Sequence, residues 1–294
     1  MVSISTKIGL HIIGGTSVPL GRPAVVKLVD VSSEYVAQVR RQVGTGTLIV
    51  VRWTQAEQHL SEPLESARGW CYHHGDQIVQ MMDYGPIAFE GYNEVADQQA
   101  AEYCRFEVER IEILHSWGAS AVVGNFSVGT PDFPAWTAYK PMLAAMGTRD
   151  YVGLHEYWAD WESLHNTYHV RRFLRVPELA GKRLVITECG RDVVEGRGDG
   201  GWKKDRWLGD DQYLTELAEL GRLYDACPQV VGACVFTVGG FGWGDFDVSE
   251  IWPHVVAGYG PEPVEPDERW ETVNVCEFDA GDEHLRSTIE RRVR

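Results

Sequence analysis

Eight short apolar runs rich in β-branched residues, helix-periodic segments between several of them, and a length of 294 residues predict an α/β fold. The fold expected is a single parallel (β/α)8 barrel, a TIM barrel, with a short C-terminal appendage. The alternation carries the prediction, because neighbouring parallel strands need a right-handed crossover and a helix is its usual form. A hydrophobic content of 44% is enough to bury the large core of such a barrel.

The runs are residues 7–13, 24–29, 48–53, 87–92, 120–125, 151–157, 184–188 and 230–238. Helical spacing recurs at 33–42, 97–116, 141–146 and 210–226. In the last of these, Asp210 and Asp211 offer caps, Leu214, Leu217 and Leu220 recur at core spacing, and Pro228 marks the stop. Past residue 260 the composition turns to an acidic, proline-rich stretch, 261–268, followed by a tail that ends in a charged segment. The expected division is therefore 1–260 for the catalytic barrel and 261–294 for linker and tail, the tail being either a short appendage or the start of a further domain.

Composition narrows the partners. A net charge of −16, from 43 acidic and 27 basic residues, argues against nucleic acid and suits a neutral substrate. No apolar stretch approaches the roughly 20 residues of a membrane helix. The six cysteines, Cys71, Cys104, Cys189, Cys227, Cys234 and Cys276, show no CxxC spacing and read as free thiols. Residues 1–7 enter the first run without a charged and apolar leader. Either the protein is made inside the cell, or its export signal has been removed.

In a (β/α)8 barrel, chemistry gathers where strands end. Here those ends hold Arg52 and Trp53, Asn93 and Glu94, Asn125, His155 and Tyr157, Glu188, and the glycine-rich stretch leading to Trp243. Polar and aromatic groups on the rim of an apolar barrel suit a sugar, which offers hydroxyls to hydrogen bonds and C–H faces to rings. A carboxylate at the end of a buried strand loses solvation unless neighbours compensate, and Glu94 and Glu188 both occupy such positions. Period-two alternation puts Ala88, Glu90, Tyr92 and Glu94 on one face, and Ile186 with Glu188 on another, so both end carboxylates are expected to point inward. Two carboxyls roughly 5 to 5.5 Å apart are what a retaining glycosidase requires.

The segment Phe89-Glu-Gly-Tyr-Asn93-Glu94 resembles the strand-four motif of clan A retaining glycoside hydrolases, and Thr187-Glu188-Cys-Gly190 resembles their strand-seven motif. Gly153-Leu-His155-Glu-Tyr157-Trp158 is similar to the sixth strand of that clan. The resemblance implies that Glu94 is the acid/base, Glu188 the nucleophile, Asn93 a ligand of the substrate 2-hydroxyl and Tyr157 a partner of the nucleophile. It also implies β-glycoside cleavage by double displacement, with a carbohydrate substrate and no metal or organic cofactor. The sequence departs from the motif at Val95, where a proline is common, and in the eighth strand, where Phe236 or the later Trp243 takes the place of a tryptophan. Strand two lacks the arginine many members carry, and Arg52 is the candidate replacement.

Plainer roles compete. Glu94 alone would read as a charge favoured near a helix start, but its pairing with Glu188 on a separate strand favours chemistry. Glu90, deeper in its strand, reads as a structural acceptor or as an orienting group for arginine or histidine. His155 alone would read as a core histidine, and Tyr157 on the same face raises its candidacy. His73-His74 and His165/His169 read as structural, since HExxH is absent. The glycine-rich segment 195–207 carries no phosphate motif and reads as a rim loop. Trp53, Trp136, Trp158, Trp161, Trp202, Trp207 and Trp243 fall after strands, and a row of exposed rings among them implies a long cleft and endo-action. Substrate contacts are thus expected from Asn93, His155, Tyr157, Trp53, Arg52, Trp158 and Trp243. Two alternatives are a non-catalytic carbohydrate-binding barrel of a phage or cell-surface assembly and, with less support, a metal-dependent barrel hydrolase.

Overall fold

A computed structural model describes residues 2–55, 57–192, 200–205 and 208–259 in full, and the backbone of 269–280 and 283–293. Eight parallel strands close into a barrel in chain order: β1 (Ile8–Ile13), β2 (Val25–Val29), β3 (Leu48–Arg52), β4 (Ile87–Glu90), β5 (Ser120–Phe126), β6 (Tyr151–Trp158), β7 (Leu184–Arg191) and β8 (Val230–Gly239). The last pairs with the first, Gly9 opposite Cys234, so no sheet edge is left. Runs such as Val25-Val-Lys-Leu-Val29 are buried on both faces, as expected of parallel strands covered by helices.

Seven helices lie among the described residues: α1 (Ser33–Val43), α2 (Pro63–Met82), α3 (Ala100–Trp117), α4 (Lys140–Ala145), α5 (Trp161–His165), α6 (Asp210–Asp225) and α7 (Trp252–Gly258). Ser32 caps α1 by accepting from the Tyr35 N–H. Gly118, left-handed at φ 83°, ends α3. Asp210 and Asp211 lie in the first turn of α6 rather than at its cap, which is Gly209, so they complement the helix dipole instead of bonding its end.

The interior has two layers. Val25, Leu48, Val50, Ala88, Val122, Tyr151, Val185 and Cys234 form a dry plug. Further along the barrel strands come His11, Lys27, Glu90, His155 and Glu188, all buried, and the apolar plug gives way to charge. A second, larger apolar layer fills the space between strands and helices.

Period-two alternation fails at both critical strands. After Glu90 the chain leaves the barrel wall: Gly91 passes so close to the buried Glu107–Arg110 pair of α3 that a Cβ would lie 2.6 Å from Glu107 Oε1. Tyr92 then stacks outward on Phe106, ring centroids 4.1 Å apart, so it does not share an inward face with Glu90. On β7, Val185 belongs to the plug and Ile186 to the strand–helix layer. A shift of register between Ile186 and Cys189 turns Glu188 inward instead.

Residues 261–294 form a separate unit from 1–260. Within it β9 (Arg269–Ala280) and β10 (Glu283–Val293) make a two-stranded antiparallel sheet. The linker 261–268, Trp207 and most of the 195–207 segment lie outside the described residues. Among the described residues no helix is long and apolar enough to cross a membrane.

Candidate active site

Strand ends β1, β2, β3, β4, β6 and β7 converge on Glu188. Its Oε1 accepts from Lys27 Nζ at 3.0 Å, with Arg52 Nη1 at 3.5 Å and His11 Nε2 at 3.7 Å. Its Oε2 accepts from the Tyr157 hydroxyl at 3.1 Å and lies 3.6 Å from His155 Nδ1. Only 10% of the Glu188 side chain is exposed. Burial alone would raise this carboxyl, but the neighbouring His155, Lys27 and Arg52 outweigh it and hold it well below the ordinary range. Burial and Lys27 keep His11 well below its own ordinary value, so it faces Glu188 as a neutral ring while Nδ1 bonds Thr237 Oγ1 at 2.8 Å. Burial, then the charge of Glu188, pushes the Tyr157 phenol far up and keeps it a donor.

Glu94 sits on the loop just past β4. Its φ of 52° is left-handed, as is that of Asn125 at 48°, and a bulky residue held there marks a site where backbone geometry is constrained. The Glu94 N–H donates to the Asn125 carbonyl at 3.0 Å, tying the two strand ends together. The Glu94 side chain is 41% exposed, and its Oε1 is 2.8 Å from His155 Nδ1. Burial of the rest of the group would raise its carboxyl, but the His155 hydrogen bond and charge outweigh that and hold it below the ordinary value. In the free protein this favours the carboxylate form of Glu94.

One nitrogen thus bridges both carboxylates, at 2.8 Å to Glu94 and 3.6 Å to Glu188. Their nearest oxygens can be no further apart than those two distances laid end to end. That limit falls at the short edge of the roughly 6.5 to 9.5 Å of an inverting pair and leaves room for the roughly 5 to 5.5 Å of a retaining one.

The remaining candidates divide. Asn93 has both backbone groups clamped by Gln58, at 2.8 Å and 2.5 Å, and its Oδ1 is buried without a protein partner among the described residues. Arg52 reaches Glu188 and, at 3.7 Å, Glu90. Trp243, exposed on the rim, meets Phe236 edge-on at 5.1 Å. Phe236 in turn lies 4.8 Å from the His11 ring, so of the two candidates for the missing tryptophan it is the one nearer the group around Glu188. Trp53 and Trp158 are corrected. Trp53 stacks on His74 of α2 at 4.3 Å, and Trp158 is buried with its N–H donated to Glu216 of α6 at 2.8 Å. Both rings point out of the barrel, since the pleat sends alternate residues to the helix layer. Trp136 and Trp202 are buried as well, leaving Trp161 and Trp243 exposed among the described tryptophans of the proposed row. Among the described residues no long row of exposed rings is formed.

Sequence reasoning overlooked Lys27. It is fully buried and bonds both Glu90 Oε1, at 2.9 Å, and Glu188. The signal was present: a lysine in a five-residue apolar strand needs a buried carboxylate, and Glu90 was the unassigned one. Glu90 therefore orients a lysine as well as an arginine. Among the described residues no group of three or more His, Cys, Asp or Glu side chains is arranged to hold a metal ion.

No family model matches the sequence, and no curated protein matches it. Solved structures do. The catalytic domain of the Bacillus sp. JAMB-750 GH26 endo-beta-1,4-mannanase superposes with a TM-score of 0.52 at 13% identity, covering 87% of this chain and 85% of that one. An endoglucanase gives 0.49 at 11% identity over 87% and 98% of the two chains. A GH128 endo-beta-1,3-glucanase from Amycolatopsis mediterranei gives 0.47 at 12% over 85% and 98%. The chain shares the (β/α)8 fold of the mannanase domain.

Proposed function

We propose that the protein is a retaining glycoside hydrolase of the clan A type, cleaving β-glycosidic bonds by double displacement. The observation that carries this reading is the meeting of two carboxylates from separate strand ends on one histidine nitrogen, with Glu188 held through both oxygens. Glu188, ionised and fixed through both oxygens, attacks the anomeric carbon. Glu94 delivers a proton to the leaving oxygen, and water then cleaves the glycosyl–Glu188 ester with Glu94 as base.

The proton follows from the geometry. Glu94 and His155 share one across 2.8 Å, and a sugar entering the cleft displaces the water that solvates the exposed half of Glu94. Desolvation and the charge of Glu188 both favour the neutral carboxylic acid, so the shared proton moves from Nδ1 to Oε1 as the substrate binds. Asn93, with its buried Oδ1, is the candidate for a sugar hydroxyl, and Phe236 with Trp243 offers the apolar wall.

The substrate class we infer is a β-linked polysaccharide, cleaved internally, as the name of the fold-sharing mannanase states for that enzyme. The test is a panel of β-1,4-mannan, β-1,4-glucan and β-1,3-glucan with products identified by mass. Oligosaccharide release with β-configured initial products supports the reading. Binding without turnover across the panel would replace it with a carbohydrate-binding barrel.

A further inference from the structure

Lys27 is the most unusual residue of the barrel interior. Its side chain is wholly shielded from solvent, and a shielded ammonium persists only with charged partners. Two of its three hydrogens are accounted for: Glu90 Oε1 at 2.9 Å and Glu188 Oε1 at 3.0 Å. Glu90 is equally shielded, and its second oxygen has no hydrogen-bond partner among the described residues. It lies beneath the reacting groups, out of reach of anything in the cleft. A pair serving stability alone would be matched or bettered by two aliphatic side chains of similar volume. What the pair adds is a third member, the attacking carboxylate.

We propose that Lys27, anchored from its far side by Glu90, is a positioning residue that fixes Glu188 and keeps it ionised, and that Glu90 moderates it by sharing its charge. The inference rests on the glycosidase reading for its activity arm. The geometry supplies the reason for two partners. Arg52 spans the same carboxylates at 3.7 and 3.5 Å, so two cations serve two anions in one layer. Undivided, both cations would fall on Glu188 and make it a weaker nucleophile. Divided, they hold its direction without removing its reactivity. The other groups facing Glu188 come from different strands: neutral His11 from β1, Tyr157 and His155 from β6, and Glu94 beyond β4 through His155. None of these touches Lys27 through a hydrogen bond, so its substitution leaves their contacts with Glu188 in place.

The test uses the full chain as wild type, Lys27→Met, Lys27→Arg and Glu90→Gln. Three readouts are taken: thermal unfolding, the 13C titration of the Glu188 carboxyl, and the pH dependence of kcat/KM on 4-nitrophenyl β-cellobioside and β-mannobioside. Lys27→Met should lose about 100-fold in kcat/KM and raise the Glu188 titration and the acid limb. Lys27→Arg should recover to within about 10-fold of wild type and restore the limb. Glu90→Gln should lose activity with the Glu188 titration unmoved or lowered, because Lys27 keeps its charge and loses its second anchor. Opposite behaviour of the Met and Gln variants is the signature. Parallel losses of melting temperature and activity, with the Glu188 titration unchanged in both, would overturn the proposal. Should Lys27→Met not fold, a raised Glu188 titration in Glu90→Gln overturns it alone. If wild type cleaves neither probe while the titrations still move in opposite senses, the positioning role stands and the glycosidase reading falls.

Discussion

Glu188 and Glu94 both face one imidazole nitrogen, yet one is 10% exposed among cations and the other is 41% exposed with His155 as its charged partner. The difference lies in how each reaches the barrel. Glu188 belongs to a strand and is carried into the interior by a bulge, so Lys27, Arg52 and Tyr157 surround it. Glu94 lies past the end of β4, on a backbone that has already turned out to meet α3 and returns through a left-handed residue. A strand residue acquires a fixed charge state from its surroundings, whereas a loop residue keeps one that the substrate can change. Two carboxyls thus gain two roles from environment alone.

Removing each member shows how far this division extends. Glu188→Ala should lower kcat/KM by on the order of 10⁴-fold or more on every substrate, whatever the leaving group. Glu94→Ala should lose about 10²- to 10⁴-fold on glycans but far less on aryl glycosides whose leaving groups need no proton. Added azide should then yield a β-configured glycosyl azide from the Glu94 variant. Equal losses on both substrate types would erase the proposed distinction.

His155→Phe addresses what the two share. Its imidazole is what holds the Glu94 carboxyl down, against burial and Glu188, so its loss should raise that carboxyl. The 13C titration of the Glu94 carboxyl should then move to higher pH, with a fall in kcat/KM of about 10- to 100-fold. A titration that stays in place or moves down would show that Glu94 is not governed by His155.

The smallest effect on turnover is expected at a third carboxyl. Glu156, on β6 but facing the helix layer, bonds the Tyr224 hydroxyl at 2.6 Å and the Arg171 N–H at 2.8 Å. Burial pushes it up to about 7. A carboxyl raised on folding contributes fully below its unfolded value near 4.5, and that contribution is lost as pH rises towards about 7, on the order of 3 kcal/mol. Glu188, being lowered, behaves in the opposite sense and weakens the fold only below about pH 4.5. On these two groups thermal unfolding should therefore peak near pH 4.5, and Glu156→Gln should flatten the decline on the alkaline side while kcat changes little.

Much of the fold was legible because buried parallel strands are written as apolar runs, and eight such runs with helices between them admit few closures. The two glutamates were legible because charge at the end of such a run is costly. Their orientations were right for the wrong reason. Alternation assumes a regular strand, while Gly91 and the shift between Ile186 and Cys189 depend on how α3 and β8 pack, which no local pattern records. Trp53 and Trp158 misled because a ring after a strand reads the same whether it faces a sugar or a helix. Helix α2 was not singled out, since its apolar positions are interspersed with His, Glu, Asp and Gln along all twenty residues.

The split interior described above has a mechanical consequence. With an apolar base beneath it, the charged layer is linked through Lys27 to Glu90 and Glu188, so the Glu188 carboxylate is held before any ligand arrives. The cost of arranging the charges is met once, when the chain folds, and only the mouth, where Glu94 and Trp243 meet solvent, is left to adapt to each incoming molecule.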